Sequence, residues 1–252
     1  MAVGGAPVIA MIPARLASVR FPRKALAAET GTPLVAHVAR AAARAETPDR
    51  VVVATDSAEI IAAVEPLGVA AVLTRRDHPN GASRIAEACE TLAVPDDAIV
   101  VNVQGDEPEI EPEAIDAVAR ALAASDAPSA TLASPFAPDE DPADPNLVKV
   151  VLDLAGDALL FSRAPIPYVR ESQGRAAPLR HVGLYAYRRS FLREYAAMAP
   201  TPLEETEGLE QLRILEHGRR IAVTVRPSAS AGIDTPEQYA RFVARWRARS
   251  GG

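Results

Sequence analysis

The segment Val8–Ile12, with the sequence VIAMI, is a short apolar run that leads directly into a polar loop. Three similar apolar runs follow along the chain, at residues 51–54, 69–73 and 98–103. The stretches between them are rich in Ala and carry apolar residues three and four positions apart, as helices require, at residues 33–45, 58–67 and 82–92. Short apolar strands that alternate with helices are typical of a parallel sheet covered on both faces. Residues 1–125 therefore predict repeated βαβ units.

The pattern changes in the second half of the chain. After a proline-rich acidic loop at 135–145, the apolar segments 148–153 and 158–162 predict an antiparallel pair, because a short glycine-containing turn separates them. The remaining predicted elements are a strand at 182–187, a helix at 207–217, a strand at 221–225 and a helix at 236–247. We therefore expect one α/β domain over residues 1–252. It has a mostly parallel, Rossmann-like sheet flanked by helices and an inserted antiparallel region at about 130–190.

Composition excludes several classes of protein. The 252 residues include 27 Lys and Arg against 33 Asp and Glu, so the chain lacks the surplus of cations that a nucleic-acid coat needs. This length is ample for a core without disulfides or a structural metal, and the single Cys89 is predicted to be an inert core thiol in a reducing compartment. The N-terminus lacks the features of a signal peptide, and no apolar run approaches the ~20 residues that span a bilayer. We therefore expect a cytoplasmic protein without membrane insertion.

The loop that follows the first apolar run, residues 13–24, is basic in an otherwise acidic chain. It holds four cations within ten residues: Arg15, Arg20, Arg23 and Lys24. In open α/β sheets, ligands bind at the carboxyl ends of strands, where such a loop can direct N–H groups and cations towards phosphate oxygens. A phosphate-binding loop is one interpretation, and a solvated basic loop is the other.

Two aspartates that follow predicted strands are candidate metal ligands. Asp106 lies in VNVQGDEP, residues 101–108, and can hold Mg²⁺, which takes one or two protein carboxylates and completes its shell with water and phosphate. Asp106 could instead cap the next helix or shape a turn. Asp234 and Thr235 precede Pro236, so either is a candidate helix N-cap, and Asp234 is alternatively a second metal-binding carboxylate.

Taken in order, these motifs resemble those of the 3-deoxy-manno-octulosonate cytidylyltransferases over nearly the whole chain. In the first half, the matching segments are Pro13-Ala14-Arg15 with Ser18, Arg20, Pro22 and Lys24; Ala54-Thr55-Asp56; Thr74-Arg75 with Asp77-His78; and Asn102 to Pro108. In the second half, they are Asn146 with Val148 to Val151; Phe161 to Ala164 with Ile166-Pro167; Arg180 to Tyr185; Leu203-Glu204; Glu207 with Leu209 to Arg213; and Gly232 to Glu237. One such motif would be weak support, but this many in the same order are specific.

The resemblance implies an activity, partners and site residues. The activity is transfer of CMP from CTP to the anomeric hydroxyl of 3-deoxy-manno-octulosonate (Kdo), with release of pyrophosphate, for lipopolysaccharide biosynthesis. The implied assembly is a homodimer that contacts its partner through the inserted region. The implied catalytic residues are Lys24, Asp106 and Asp234, of which the two aspartates bind magnesium. The implied nucleotide-binding residues are Ala14, Arg15, Ser18, Arg20, Lys24, Gly81 and Arg84. The implied sugar-binding residues are Gln104, Arg163, His181, Tyr185, Glu210 and Gln211.

Plain alternatives exist for the sugar-binding residues. Arg163 and His181 are candidates to bind the carboxylate of Kdo. Without the resemblance, His181 is a satisfied, half-buried histidine at a strand start, and Arg163 pairs with a surface carboxylate. Glu210 and Gln211 lie on a predicted helix with a core-facing apolar side, so their role rests on the resemblance.

The chain departs from the family pattern at two places. Arg23 stands where the family has a glycine, and a bulky cation does not easily take positive φ, so we expect either a different backbone path or an added phosphate contact. The segment 80–84 lacks a hydroxyl and an acid of the family pattern, which leaves base or ribose recognition by Ala82 and Ser83 open. The alternatives are therefore a cytidylyltransferase for a related acid sugar and a non-catalytic nucleotide-binding protein. Retention of both Asp106 and Asp234 favours an enzyme.

Overall fold

The structure, a computed structural model, describes residues 5–18, 20–170 and 176–250. The strands are β1 (Val8–Ala14), β2 (Arg50–Thr55), β3 (Ala70–Leu73), β4 (Ile99–Asn102), β5 (Ser129–Pro135), β6 (Lys149–Leu152), β7 (Ala158–Ser162), β8 (Leu179–Arg188) and β9 (Ile221–Val225). The helices are α1 (Leu34–Ala42), α2 (Ala58–Val64), α3 (Gly81–Thr91), α4 (Pro112–Ala123), α5 (Arg189–Ala197), α6 (Pro202–Glu207), α7 (Gln211–Glu216) and α8 (Pro236–Ser250). Short 3₁₀ helices are formed by Lys24–Leu26 and Glu65–Leu67.

The strands form one mixed sheet with the main order β3-β2-β1-β4-β8-β5-β9. β1 pairs in parallel with β2 and β4, and β2 pairs in parallel with β3, as the predicted βαβ units require. β8 runs antiparallel to both β4 and β5, whereas β9 is parallel to β5. Most neighbours along this order are therefore parallel, and the predicted α/β class is confirmed.

The first strand explains why helices cover both faces of the sheet. Successive side chains of a strand point to opposite faces. Val8, Ala10 and Ile12 accordingly belong to a core that includes α1 and α4. Ile9 and Met11 belong to a second core on the other face, which includes α3 and α5. Because all five side chains are at most 5% exposed, the strand appears in the sequence as a continuous apolar run.

The predicted antiparallel pair is confirmed as the β6–β7 hairpin, in which Val150 lies opposite Phe161. β6 also pairs with the start of β8, so the hairpin lies off the main order of the sheet. The region 130–190, predicted as an insertion, is therefore divided. Its strands β5 and β8 belong to the main strand order of the sheet, and the hairpin with its adjoining loops lies off that order. Apolar patterns identify strands but not their order in a sheet, so the sequence did not reveal this division.

The helix predicted at 207–217 is wrong in its first part. α6 ends at Glu207, Gly208 follows with a φ of 61°, and α7 begins only at Gln211. Glycine adopts this left-handed conformation without a steric penalty and commonly follows the end of a helix. The apolar spacing of Leu209 and Leu212 continues across this break, and so the sequence pattern concealed it.

Cys89 is a free, fully buried thiol in α3, and burial raises its pKa to about 11. It therefore stays protonated at neutral pH and is a poor nucleophile.

Among the helices of the described residues, none combines the length and apolar character needed to cross a bilayer.

Candidate active site

A cleft at the carboxyl ends of β1 and β4 contains a cavity of about 410 Å³. The loop after β1, the loop after β4, the start of α3 and the segment 226–235 surround it. The cavity is lined by every residue predicted to bind nucleotide and by both aspartates predicted to bind metal: Ala14, Arg15, Ser18, Arg20, Lys24, Gly81, Arg84, Asp106 and Asp234. This is the sheet edge at which ligands bind in open α/β folds.

Gly105 allows the two central loops to approach each other. A Cβ atom added at Gly105 would lie 2.6 Å from the carbonyl oxygen of Pro13, which is closer than real Cβ atoms come to such an oxygen. Gly105 therefore lets the end of β4 pass directly beside the end of β1. As a result, the next residue, Asp106, faces the basic loop across the cavity.

Lys24 joins the two candidate metal ligands. Its Nζ donates hydrogen bonds to Asp106 Oδ2 at 2.7 Å, to the Ile233 carbonyl at 2.7 Å and to Asp234 Oδ1 at 3.2 Å. Arg20 Nη2 lies 3.0 Å from Asp234 Oδ1. The three residues predicted to be catalytic thus converge, although Lys24 and Asp234 are 210 positions apart in the sequence.

Arg23 does not behave as the sequence suggested. It takes a φ of 59° and a ψ of 24°, so the expectation that a bulky cation avoids positive φ here is wrong. The added phosphate contact, which was the other expectation, stays a prediction. The Arg23 guanidinium is largely exposed and pairs with Glu59 Oε2 at 2.6 Å, and Arg23 does not line the main cavity.

The start of α3 forms one wall of the cavity. Asn80 caps the helix, because its Oδ1 accepts a hydrogen bond from Ser83 N at 2.9 Å. Ser83 Oγ donates to the Asn80 carbonyl at 3.0 Å and lies 3.2 Å from His78 Nδ1, while His78 Nε2 lies 2.5 Å from Glu87 Oε2. His78, Pro79 and Asn80 line the cavity, yet sequence reasoning gave them no role. The Asp77-His78 motif was the signal that could have identified them.

Arg84 supplies a buried cation behind this wall. Its side chain is only 5% exposed. Nη1 donates to Thr74 Oγ1 at 2.6 Å and to the Arg75 carbonyl at 3.0 Å, and Nη2 lies 3.3 Å from Asp56 Oδ2. These partners satisfy part of its donor set and hold the guanidinium in one orientation at the cavity edge.

Of the residues predicted to bind sugar, Gln104 and Glu210 line the cavity. Gln104 Nε2 donates to the Gly183 carbonyl at 3.0 Å, which fixes the amide against β8. Glu210 is exposed to the cleft, but the surrounding protein removes enough water to raise the pKa of its carboxyl group, and nearby Glu204 adds to this rise. The cleft therefore has an acidic end as well as a basic loop.

The structure does not bring the other four residues predicted to bind sugar to this cavity. His181 and Tyr185 lie on the same face of β8, with their ring centroids 5.4 Å apart. Burial lowers the pKa of His181 to about 3 and raises that of Tyr185. Arg163 donates to the carbonyls of Glu207 and Pro145, and Gln211 is buried at the start of α7. Their sugar-binding role stays a prediction.

The donor set of the cleft suits magnesium. The Asp106 and Asp234 side chains are 30% and 39% exposed, and both face the cavity. No group of three or more His, Cys, Asp or Glu side chains within residues 5–18, 20–170 and 176–250 could hold a metal by itself. Magnesium needs only one or two carboxylates when water and phosphate oxygens complete its shell, so this pair fits that ion.

Glu107, directly after Asp106, lies behind the cleft and is 8% exposed. Burial raises the pKa of its carboxyl group to about 7. Ser230 Oγ donates a 2.5 Å hydrogen bond to Glu107 Oε2, which favours the charged form and opposes the rise.

Comparison with known sequences agrees with this arrangement. The cytidylyltransferase family model matches residues 9–221. The chain is 50% identical over 252 aligned residues to the 3-deoxy-manno-octulosonate cytidylyltransferase of Acidovorax sp. (strain JS42), with 94% of this chain and 96% of that protein covered. It is 51% identical over 240 residues to the 3-deoxy-manno-octulosonate cytidylyltransferase of Herminiimonas arsenicoxydans, with coverages of 92% and 95%.

Comparison with solved structures extends the similarity to three dimensions. CMP:2-keto-3-deoxy-manno-octonic acid synthetase complexed with CTP matches with a TM-score of 0.90 and 36% identity, over 97% of this chain and 100% of that chain. 4-Diphosphocytidyl-2C-methyl-D-erythritol synthase, at 14% identity and a TM-score of 0.62 over 95% of this chain and 97% of that one, shares the fold alone. Agreement in sequence over nearly the full length of both chains makes this protein a member of the 3-deoxy-manno-octulosonate cytidylyltransferase family.

Proposed function

We propose that this chain transfers CMP from CTP to the anomeric hydroxyl of Kdo and releases pyrophosphate, as a step towards lipopolysaccharide. The observation that carries the proposal is the convergence of Lys24, Asp106 and Asp234 at one end of a cavity that a basic loop also lines. The names of the relatives support the acceptor, and the CTP complex of the similar structure supports the donor.

Charge neutralisation and positioning are the main requirements of this chemistry. The anomeric oxygen forms a bond to the α-phosphorus while the bond from that phosphorus to the departing pyrophosphate breaks, and the hydroxyl proton is released. Arg15, Arg20 and Lys24 offer cations to the phosphate oxygens, and Ser18 offers a hydroxyl. No protein nucleophile is needed, and the buried thiol of Cys89 does not line the cavity.

Magnesium dependence is part of the proposal. Asp106 and Asp234 would hold the ion, since their carboxylates are partly exposed to the cavity and fit its preference for oxygen ligands. When bound, magnesium supplies positive charge to the phosphate oxygens. Lys24 then contributes a further positive charge from the protein, and its position between the two aspartates places that charge at the same end of the cleft.

The acid-sugar side adjoins Gln104 and Glu210. We propose that these two residues contact sugar hydroxyls. Arg163, His181, Tyr185 and Gln211 are the proposed remainder of the sugar subsite. The departure at residues 80–84 leaves a related acid sugar as the alternative acceptor.

The direct test is pyrophosphate release from CTP and magnesium with Kdo, with competing acid sugars in parallel assays. Release only with Kdo supports the proposal, whereas preferential release with another acid sugar changes the acceptor. No release above the blank overturns the activity.

Asp106→Asn and Asp234→Asn should each lower kcat by about 100-fold or more while circular dichroism stays unchanged. Asp126→Asn is the control, because Asp126 is exposed and lies outside the cavity.

We also propose a homodimer formed through the β6–β7 hairpin. Leu154, Leu159 and Leu160 expose apolar side chains there, and β7 pairs only with β6 among the described strands. Exposed apolar side chains beside an open strand edge suit a second copy of the chain. Light scattering should show a dimer for the wild type and a monomer for Leu159→Asp, whereas a monomeric wild type contradicts the proposal.

The proposed location is the cytoplasm, which the unpaired thiol of Cys89 supports.

A further inference from the structure

The segment 226–235, which carries Asp234, contains neither helix nor strand. It connects β9 to α8 and passes beside Asp106. A segment without regular backbone pairing needs other partners for its N–H and C=O groups. In this protein, two of those backbone partners come from the loop after β4, which carries Asp106, and side-chain contacts add to them.

Two glutamates on that loop hold the first part of the segment. Glu111 Oε2 accepts a hydrogen bond from Ser228 Oγ at 2.7 Å, and Glu111 Oε1 accepts one from Ala229 N at 2.9 Å. Glu107 Oε2 accepts a hydrogen bond from Ser230 Oγ at 2.5 Å. Three consecutive residues of the segment are therefore fixed by carboxylates from one loop.

Hydrogen bonds to backbone atoms hold the rest of the segment as far as Ile233, the residue before Asp234. Ile233 N donates to the Asp106 carbonyl at 2.9 Å, and the Ile233 carbonyl accepts from Lys24 Nζ at 2.7 Å. Arg180 Nη2 donates to the Ser228 carbonyl at 2.6 Å from the other side. The segments that carry the two aspartates are thus bonded directly to each other.

Glu107 is the less exposed of the two glutamates that bond to segment 226–235. Glu107 is 8% exposed and Ser230 is 4% exposed, whereas Glu111 is only partly buried. Burying a carboxylate costs free energy that a hydrogen bond offsets only in part, so stability alone favours an apolar residue here. Glu107 directly follows Asp106, and Ser230 lies four residues before Asp234. The Glu107–Ser230 hydrogen bond therefore connects the two aspartates by a short path.

We propose that Glu107 is a positioning residue, which sets the placement of Asp234 relative to Asp106 through its hydrogen bond with Ser230. The inference rests on the proposed function, because that function gives the two aspartates a common magnesium site. Mutation of residues that orient metal ligands without touching the metal typically lowers metal affinity or activity by about 10–100-fold.

Ser230→Ala tests this role, because it removes the hydrogen bond and leaves both aspartates in place. We expect the Mg²⁺ concentration for half-maximal pyrophosphate release to rise by about tenfold or more, with a smaller change in kcat at saturating Mg²⁺. Mn²⁺ binding to the protein alone, followed by electron paramagnetic resonance, should weaken in parallel. Ser230→Thr keeps a hydroxyl and should retain most of the affinity. Glu107→Gln keeps an acceptor and should retain more affinity than Glu107→Ala.

Ser129→Ala is the matched control. Ser129 is fully buried in β5 and donates to the Arg220 carbonyl at 3.4 Å, outside the cavity-lining set. Melting temperatures of all variants separate a loss of stability from a loss of positioning.

If folded Ser230→Ala has an unchanged Mg²⁺ requirement and an unchanged Mn²⁺ affinity, the positioning role is overturned and the proposed transfer still stands. A wild type that binds Mn²⁺ but releases no pyrophosphate contradicts the transfer, and Mn²⁺ affinity still decides the positioning role. A wild type that binds no Mn²⁺ overturns the positioning role as well.

Discussion

Arg23 occupies a backbone conformation that usually belongs to glycine. Its φ of 59° and ψ of 24° are left-handed, which costs a residue with a Cβ atom roughly 1–2 kcal/mol. The ion pair with Glu59 is more than half exposed at both ends and contributes about 0–1 kcal/mol, so it does not by itself account for the conformation. The contacts of the next residue, Lys24, with Asp106, Ile233 and Asp234 explain why the turn is kept.

Replacement of Arg23 measures this strain directly. Arg23→Gly and Arg23→Ala both remove the pair with Glu59, but only the alanine variant keeps the left-handed penalty. We expect the glycine variant to be more stable than the alanine variant by about 1 kcal/mol, after the greater chain entropy of glycine in the unfolded state is deducted. Urea unfolding of both variants gives this difference. Equal stabilities would show that the backbone at this position is unstrained.

At the scale of secondary-structure elements, the pair α6 and α7 supports the acidic end of the cleft. Arg213 Nε and Nη2 donate to Glu204 Oε2 and Oε1, each at 2.6 Å, and the two side chains are only 9% and 10% exposed. The break between the helices sets the position of Glu207, which accepts hydrogen bonds from Ser162 Oγ and Arg163 N. The buried pair therefore joins α6 to α7 across the break, on either side of the cavity-lining Glu210, while Glu207 joins the end of α6 to the end of β7.

Glu204→Ala should destabilise the protein by about 3–5 kcal/mol, because it leaves the buried Arg213 guanidinium without its carboxylate. Glu194→Ala is the matched control. It removes the partner of Arg219 in an ion pair that is 46% and 50% exposed, and should cost less than about 1 kcal/mol. Chemical denaturation of both variants measures the difference. Comparable losses in the two variants would mean that burial adds nothing to the Glu204–Arg213 pair.

At the scale of the whole molecule, two histidines with lowered pKa values, His37 and His181, connect stability to pH. Burial, with a smaller effect of nearby Arg40, lowers the pKa of His37 to about 4. Burial, with a smaller effect of Arg180, lowers the pKa of His181 to about 3. Unfolded histidine has a pKa near 6.5, so the unfolded chain binds more protons than the folded chain between that value and the lowered ones. The stability that depends on keeping these two histidines neutral is therefore fully present above about pH 6.5, and it is lost as the pH decreases towards 4.

His37→Gln should reduce this acid sensitivity. His37 is 4% exposed and packs against Phe242 and Trp246 of α8, so its protonation opposes the docking of that helix. Between pH 7 and pH 5, the variant should lose about 1–2 kcal/mol less stability than the wild type. Urea unfolding at the two pH values gives these losses, with His217→Gln as the control because the His217 side chain is exposed. Identical losses in wild type and His37→Gln would assign the acid sensitivity to other groups.

Much of the candidate site could be predicted because its motifs follow strands directly. The basic loop follows β1, and Asp106 comes four residues after β4, so short-range pattern placed both at one edge of the sheet. The four residues Arg163, His181, Tyr185 and Gln211 could not be placed in this way. Their relation to the cavity depends on which face of β8 packs against Phe161 and on the helix break at Gly208, and both depend on contacts between distant segments.

The amino-acid order was sufficient to predict the βαβ units, the β6–β7 hairpin, the basic loop and the positions of the two aspartates, since each depends on periodicity or turn chemistry within a few consecutive residues. Three-dimensional packing was needed to insert β8 between β4 and β5 and to place segment 226–235 against the loop after β4. It also holds Arg23 in a left-handed turn. These features arise from contacts such as Lys24 with Ile233, 209 positions apart, whose free energy depends on the whole packed chain and not on local pattern.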